Sequence, residues 1–435
     1  MIYASHAFFN IGRRPYIVKN FAVATAMFFT LSGFMMTWCY DKCDFVSWKC
    51  KGQFLSRRFA RLYPPLIVAW IGFLYLIQSD AEWTDFPGMI ASVPLLYNAP
   101  LLCTFGDRTP GPIMVLWAIS VEFIIYGIYV FVQPFLKQCF LKAKDPGSSW
   151  LWKLFFWGVI PSTLYTFIII TNVNYFSKYD EFSVTADWCN LYYSTWPRLA
   201  TFFIGAIGGY FALHYVHPAW HRATARTKRM VGWLIDLTLI LSGVIVLLIV
   251  PALPRVVWSF TSPNTLAPLT VLVLTMLTLD TGIIATCLTW KPLQELGTVS
   301  LEIYVLHIVV LFGFFNIYYD TSYCYYYTLP ITIAICYVVH HYISNAANDY
   351  ILSVVKSLVP SMSCSCGKRP APAVAAPTVS IASIPITSPF SPLPAMGSPW
   401  AEGAELNHRN LNAQTSQQDA VLRVVEPLHL KVSDV

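Results

Sequence analysis

The sequence predicts an all-α fold: a polytopic transmembrane helical bundle of about nine full spans plus a partial first helix, followed by a disordered C-terminal tail. Three observations carry this. The 435 residues are 56% hydrophobic, 16% aromatic and only 11% charged, whereas a soluble domain carries about 25% charged residues. Apolar stretches recur at lengths near the ~20 residues that a spanning helix needs. Basic residues gather in alternate loops, as the positive-inside rule describes. The formal charge of +6 therefore reflects topology and calls for no nucleic-acid partner. The first residues lack a basic n-region and a small-residue cleavage site, so no cleavable signal peptide is expected.

The elements follow in order. Met1–Asn10 is apolar but too short to span. Full spans are expected near Phe21–Tyr40, Leu62–Gln78, Pro112–Gln133, Trp150–Ile170, Arg198–Tyr215, Val231–Val250, Leu266–Leu288, Val299–Tyr318 and Leu329–Asn345. Phe86–Cys103 is apolar but interrupted by Pro87, Gly88, Pro94 and Pro100, and reads as a re-entrant or interfacial piece. The basic loops are Asp41–Arg61, the stretch with Lys137, Lys142 and Lys144, and the stretch with Arg222, Arg226, Lys228 and Arg229. The loops between them are acidic or neutral, with Asp80, Glu82, Asp85 and Asp107 in one and Asp180, Glu181 and Asp187 in another. The basic loops and the C-terminus are accordingly expected in the cytosol. Arg13, Arg14 and Lys19 run against this pattern, since they would lie outside.

Two domains are expected: a membrane-embedded domain over 1–358 and a cytosolic tail over 359–435. The tail is rich in Pro, Ala and Ser and cannot bury a core. Its Ser-Pro pairs at Ser388, Ser391 and Ser398 would suit proline-directed phosphorylation, and Cys364 and Cys366 could take a palmitoyl chain. The eleven cysteines form no recognisable framework. Cys39, Cys43 and Cys50 fall in a cytosolic loop, where reduced thiols are the default, and no fourth ligand for zinc is evident beside them. Cys103, Cys189 and Cys324 would face outside, where one pair could be bridged.

Candidate chemistry starts from polar residues inside apolar segments, where each is costly unless it has a task. Arg57, Arg58 and Arg61, in FLSRRFARLYPP, fall roughly on one helical face at the membrane edge. They could fix topology, bind lipid headgroups or grip a phosphorylated ligand. Glu122 lies in LWAISVEFIIYG, and a mid-span carboxylate must be paired or protonated. A packing hydrogen bond, or an ion pair with Arg198 or another arginine, would also explain it. Ser32 and Gly33 read as close helix packing more readily than as a nucleophile, and no G-x-S-x-G elbow is present. His307 reads as a satisfied core histidine or as a catalytic group, and Glu302, five residues earlier, points to another face. His6 has an imidazole able to take a hydroxyl proton near neutral pH; its other reading is an interfacial histidine at a frayed terminus.

Taken in order, these motifs resemble acyltransferase family 3, membrane proteins that move acyl groups from acyl-CoA to hydroxyls. The matching pieces are His6, F-F-x-L-S-G-F over Phe28–Phe34, and F-x-x-R-R-x-x-R-x-x-P over Phe54–Pro64. They continue with W-x-x-S-V-E over Trp117–Glu122, R-x-x-x-F-x-x-G over Arg198–Gly205, and L-G-x-x-S-x-x-x-Y-x-x-H over Leu296–His307. Each motif is weak alone; six in order over roughly 345 residues are specific. The family has an arginine eleven residues before its first-helix histidine. Only five residues precede His6, so the chain is expected to lack the cytosolic half of that helix. Leu301 also departs from the aromatic residue the family often has after the serine.

The resemblance implies a mechanism. His6 would be the general base on an acceptor hydroxyl, with Glu122 orienting it or balancing Arg198. Arg57, Arg58 and Arg61 would grip the phosphates of acyl-CoA, acetyl-CoA being the expected donor. Ser32, Arg198, Tyr304 and His307 would support substrate or structure. The partners implied are acyl-CoA, a hydroxyl-bearing acceptor and the bilayer, with no metal and no permanently bound cofactor. The location implied is multi-pass in the endoplasmic reticulum or plasma membrane. The alternatives are a multi-span transporter, which should show inverted repeats with broken helices, and a non-catalytic relic of the family.

Overall fold

The computed structural model describes residues 23–43, 45–77, 117–178, 195–245, 265–317 and 324–358, and among them every regular element is helical. The elements are α1 (Val23–Tyr40), α2 (Trp48–Ile77), α3 (Trp117–Lys144), α4 (Trp150–Leu154) and α5 (Ile160–Lys178). They continue with α6 (Thr195–Phe211), α7 (His217–Arg222), α8 (Ala225–Val244), α9 (Ala267–Leu277), α10 (Ile283–Leu288), α11 (Lys291–Thr298), α12 (Ser300–Ile317), α13 (Cys324–Val338) and α14 (Asn345–Leu358). Three π-helical segments, Phe155–Val159, Ala212–Val216 and Val339–Ser344, join α4 to α5, α6 to α7 and α13 to α14.

Among the described residues three helical stretches are long and apolar enough to cross a membrane: Trp117–Lys144, Trp150–Thr171 and Thr195–Arg222. A fourth is reached if the pair α11 and α12, bent by 66°, makes one span. The expected count of about nine spans is thus not confirmed among the described residues. Of the expected span Leu62–Gln78, residues 62–77 are the second part of α2, which starts at Trp48 and carries Pro64 and Pro65 within its 30 residues. At 1.5 Å per residue α2 is about 45 Å long. Leu266–Leu288 is split into α9 and α10. The expected segments at Met1–Asn10 and Phe86–Cys103, the charges at Arg13, Arg14 and Lys19, and the tail over 359–435 all lie outside the described residues.

The break between α9 and α10 has a local cause. Gly282 stands at φ +100°, a conformation that glycine adopts without steric cost. A Cβ there would meet the Asp236 carboxylate at 2.6 Å. Asp236, buried in α8, accepts from the backbone N–H of Ile283 at 2.8 Å and of Ile284 at 3.0 Å. A carboxylate inside an apolar helix is thereby supplied with the unsatisfied donors at another helix's start.

The bundle is organised around α6, which packs chiefly on α1 and also on α5 and α9. Of the spanning window in Thr195–Arg222, 67% is buried, against 11% of that in Trp150–Thr171, so α6 is central and α4–α5 is peripheral. The α1–α6 crossing is close because glycines line it. A Cβ on Gly33 would stand 1.9 Å from the Phe202 carbonyl oxygen, and one on Gly205 would stand 2.0 Å from that of Thr30. A Cβ on Gly209, one turn on, would stand 2.7 Å from the Phe34 carbonyl oxygen. Small residues four apart let helix backbones touch, which replaces the missing hydrophobic drive in lipid with direct packing.

The remaining core mixes aliphatic side chains with a cluster of aromatic rings. Tyr40, Phe45, Phe54, Tyr126, Tyr129 and Phe202 pack mostly edge-to-face, with centroid distances of 5.0–6.3 Å, the arrangement that ring quadrupoles favour. At one end of the bundle the Lys137 ammonium donates to the Asp41 carbonyl, and His214 stands 3.2 Å from the Asp41 carboxylate. This places the segment after α1 beside the ends of α3 and α6. Cys43 and Cys50, expected as reduced thiols, are both disulfide-bonded, while Cys39 is outside any disulfide. Cys43 and Cys50 are both buried, where α1 turns into α2.

Candidate active site

Three separate sequence motifs converge on one buried cluster. Ser32 comes from α1, Arg58 from α2, and Glu122 from the first turns of α3. All three are at most 2% exposed. Ser32 Oγ donates to Glu122 Oε1 at 3.1 Å and lies 2.8 Å from the Tyr126 hydroxyl. Tyr126, one turn along α3, donates to the same Glu122 oxygen. The other oxygen, Oε2, is buried and has no hydrogen bond among the described residues. The carboxylate is therefore held by one oxygen and presents the other.

Arg58 closes the cluster from α2. Its Nη2 donates to the Tyr40 hydroxyl at 2.9 Å. Its guanidinium carbon lies 5.2, 5.3 and 5.5 Å from the ring centroids of Tyr40, Phe54 and Tyr126. Aromatic faces stabilise a desolvated cation by about 2 kcal/mol, and the charge of Glu122 also acts on it. Arg198, 2% exposed, lies over Phe29 and Trp117, 5.8 and 5.4 Å from their ring centroids. Glu122 thus takes its hydrogen bonds from hydroxyls, with Arg58 as a charged neighbour.

The three arginines do not share one surface. Arg57 is exposed and Arg58 is buried among rings. Arg61 is half-turned into the protein. Its Nη2 donates to the Thr298 carbonyl at 3.0 Å and its Nη1 stands 3.6 Å from Glu302 Oε1. The reason is geometric: positions i and i+1 on a helix are about 100° apart, so Arg57 and Arg58 cannot face the same way. The reading of one basic face at the membrane edge is corrected accordingly.

On α12, Tyr304 stacks on Phe28 of α1 at 6.4 Å with the rings nearly parallel. His307 is 1% exposed and its Nδ1 lies 3.0 Å from the Ile303 carbonyl and 2.7 Å from that of Tyr304. Carbonyls only accept, so Nδ1 carries the proton, and in the neutral ring Nε2 carries the lone pair. Glu302 points elsewhere, toward Arg61 and His340, as the five-residue spacing predicts. His6 lies outside the described residues.

Two residues of the site were not visible as candidates in the sequence. Tyr126 sits at i+4 from Glu122, a spacing that places it on the same helix face and could have marked it. His340 sits beside His341 in an apolar stretch, and nothing in that pattern signals a partner 38 positions away. Among the described residues no group of three or more His, Cys, Asp or Glu side chains could hold a metal ion.

A hydroxyl-bound carboxylate, caged cations and an oriented imidazole in an apolar bundle could hold a proton acceptor and a developing negative charge away from water. In comparisons with known proteins, a family model described as an acyltransferase domain matches residues 1–341. No curated protein and no solved structure matches.

Proposed function

The chain belongs to acyltransferase family 3, and on that premise we propose that it is an integral membrane O-acyltransferase moving an acyl group, acetyl first among them, from acyl-CoA to a hydroxyl. The acceptor is a carbohydrate, a lipid or a secondary metabolite. The observation that supports this most is the meeting of Ser32, Arg58 and Glu122, each from a different family motif, at a single buried carboxylate.

In this reading the acceptor oxygen attacks the thioester carbonyl, the carbon–sulfur bond breaks, and CoA leaves as the thiol. His6 takes the hydroxyl proton and passes it to the departing sulfur, a role worth roughly 10²–10⁴ in rate. Glu122, fixed by Ser32 and Tyr126, orients the imidazole and balances its charge. Arg57, exposed on α2, meets a phosphate of CoA, since a guanidinium fork matches phosphate oxygens. Arg58 holds the tyrosines around the carboxylate, and Arg198, Tyr304 and His307 wall the space where the thioester sits. The phosphate-bearing end of CoA is in the cytosol, on the side that the C-terminus also occupies, with the protein in the endoplasmic reticulum or plasma membrane.

The test is transfer of a labelled acyl group from acyl-CoA to extractable acceptors in membranes expressing the chain. His6→Ala is expected to abolish transfer, and Arg57→Gln to raise the acyl-CoA KM about tenfold, the cost of one charged hydrogen bond. Undiminished transfer by His6→Ala would remove His6 from its role. An absence of saturable CoA binding would favour a transporter instead.

A further inference from the structure

Three helices far apart in the sequence meet at Glu302, in the first turn of α12. This carboxylate is 0% exposed. His340, in the π-helical segment between α13 and α14, donates from Nδ1 to Glu302 Oε1 at 2.8 Å. Arg61 approaches the same oxygen from α2 at 3.6 Å. The other arm of the Arg61 guanidinium takes the Thr298 carbonyl at 3.0 Å. Thr298 is the last residue of α11, and the chain turns by 66° between α11 and α12.

We propose that Glu302 and His340 are positioning residues of the candidate active site: with Arg61 they fasten the break between α11 and α12 to α2, and so set where Tyr304 and His307 stand.

A sharp bend leaves carbonyls before it without helical partners. Arg61 supplies a donor to one of these carbonyls and, with its second arm, a counter-charge to the carboxylate just beyond the bend. A buried carboxylate is tolerated when it is both paired and hydrogen-bonded, and His340 supplies the hydrogen bond. The bend is thus held on both sides by one guanidinium, which is in turn fixed by α2. Tyr304 is two residues past Glu302 and touches Phe28 of α1, and His307 follows within the same rigid helix. Arg57 lies one turn before Arg61 on α2, so the same fastening sets the distance between the exposed arginine and the α12 side chains. Functional groups work when held to within about 0.5 Å by such supporting contacts. Arg61 serves this clamp, and its role is distinct from the phosphate contact assigned to Arg57.

The kinetic part of this proposal rests on the acyltransferase reading, and the structural part does not. Backbone hydrogen exchange of the full chain in lipid nanodiscs tests the latter. In His340→Ala and in the double variant Arg61→Gln with Glu302→Gln, exchange over residues 295–303 should rise about tenfold or more, while the α1–α6 crossing stays protected. His340→Gln, whose amide still donates to Glu302, should restore protection. In acyl-transfer assays the His340→Ala variant should lose kcat about tenfold with the donor KM nearly unchanged, and His340→Gln should recover it. Arg57→Gln should do the reverse, raising KM with exchange unchanged. Unaltered exchange over 295–303 in both His340→Ala and the double variant overturns the clamp, as does a uniform rise in exchange across the chain. A wild-type chain with no transferase activity but with the expected exchange pattern would sink the acyltransferase reading and leave the clamp standing.

Discussion

Glu122 shows how much a single residue can and cannot announce. Its place in an apolar run says that it must have a partner, and the ring of Arg58, Ser32 and Tyr126 bears that out. Which oxygen is held and which is presented could not be read, because that depends on the approach of three helices. Glu122→Gln keeps shape and hydrogen bonding but removes the charge. It is expected to cut kcat by 10²–10³ if that charge stabilises an imidazolium in the transition state, with the melting temperature in detergent little changed. Tyr126→Phe removes one hydrogen bond to a charged group, about 1.5–3 kcal/mol, and should lower kcat/KM by at least tenfold. Full activity in both variants would show the cluster to be packing alone. The arginines teach the opposite lesson. Three cations in five positions read as one basic face, yet a helix distributes them to lipid or solvent, to a cage of rings and to a buried carboxylate.

At the scale of elements, the sequence located most helices, because apolar runs between charged turns leave few alternatives. It misplaced the start of α2, where Lys49, Lys51 and the arginines read as a loop. The structure keeps them helical by laying Lys51 over Trp48 and Phe131 and by caging Arg58. It also missed the break at Gly282, whose signal, an aspartate in α8, lies 46 residues away in the chain (282 − 236). At the α1–α6 crossing, in contrast, close packing was legible at Gly33, although not the helix that it meets. Gly205→Leu drives a side chain into the Thr30 carbonyl, and overpacking of this kind costs about 3 kcal/mol. A lowered melting temperature and lower yield of folded protein are expected, whereas Gly127→Leu, where a Cβ meets nothing within 4 Å, should be neutral. Equal stability of the two variants would rule out the close crossing.

For the whole molecule, composition was decisive: a chain with so few charges and so many exposed apolar side chains belongs in a bilayer. Trp48, Trp150, Trp196 and Trp290 are each at least 63% exposed and stand at the start of α2, α4, α6 and α11. Indole rings prefer the membrane interface. Lipids brominated near the headgroup should therefore quench tryptophan fluorescence more than lipids brominated near the chain end, and the reverse order would contradict this placement. The π-helical segment at Val339–Ser344 has a consequence of another kind. A π segment amounts to one residue inserted into an α-helix. The wide turn takes up the extra residue, so deleting one residue inside it should close it to α-helix and leave the phase beyond nearly unchanged. Deleting one residue from the regular turns of α13 would instead turn everything beyond by about 100°. Ile351 and Val355 of α14, which now face Leu55 and Phe59 on α2, would swing away, and His340 would lose its aim at Glu302. The last helix is thus phased like a gear on its shaft, with slack for one residue at the π-helical segment.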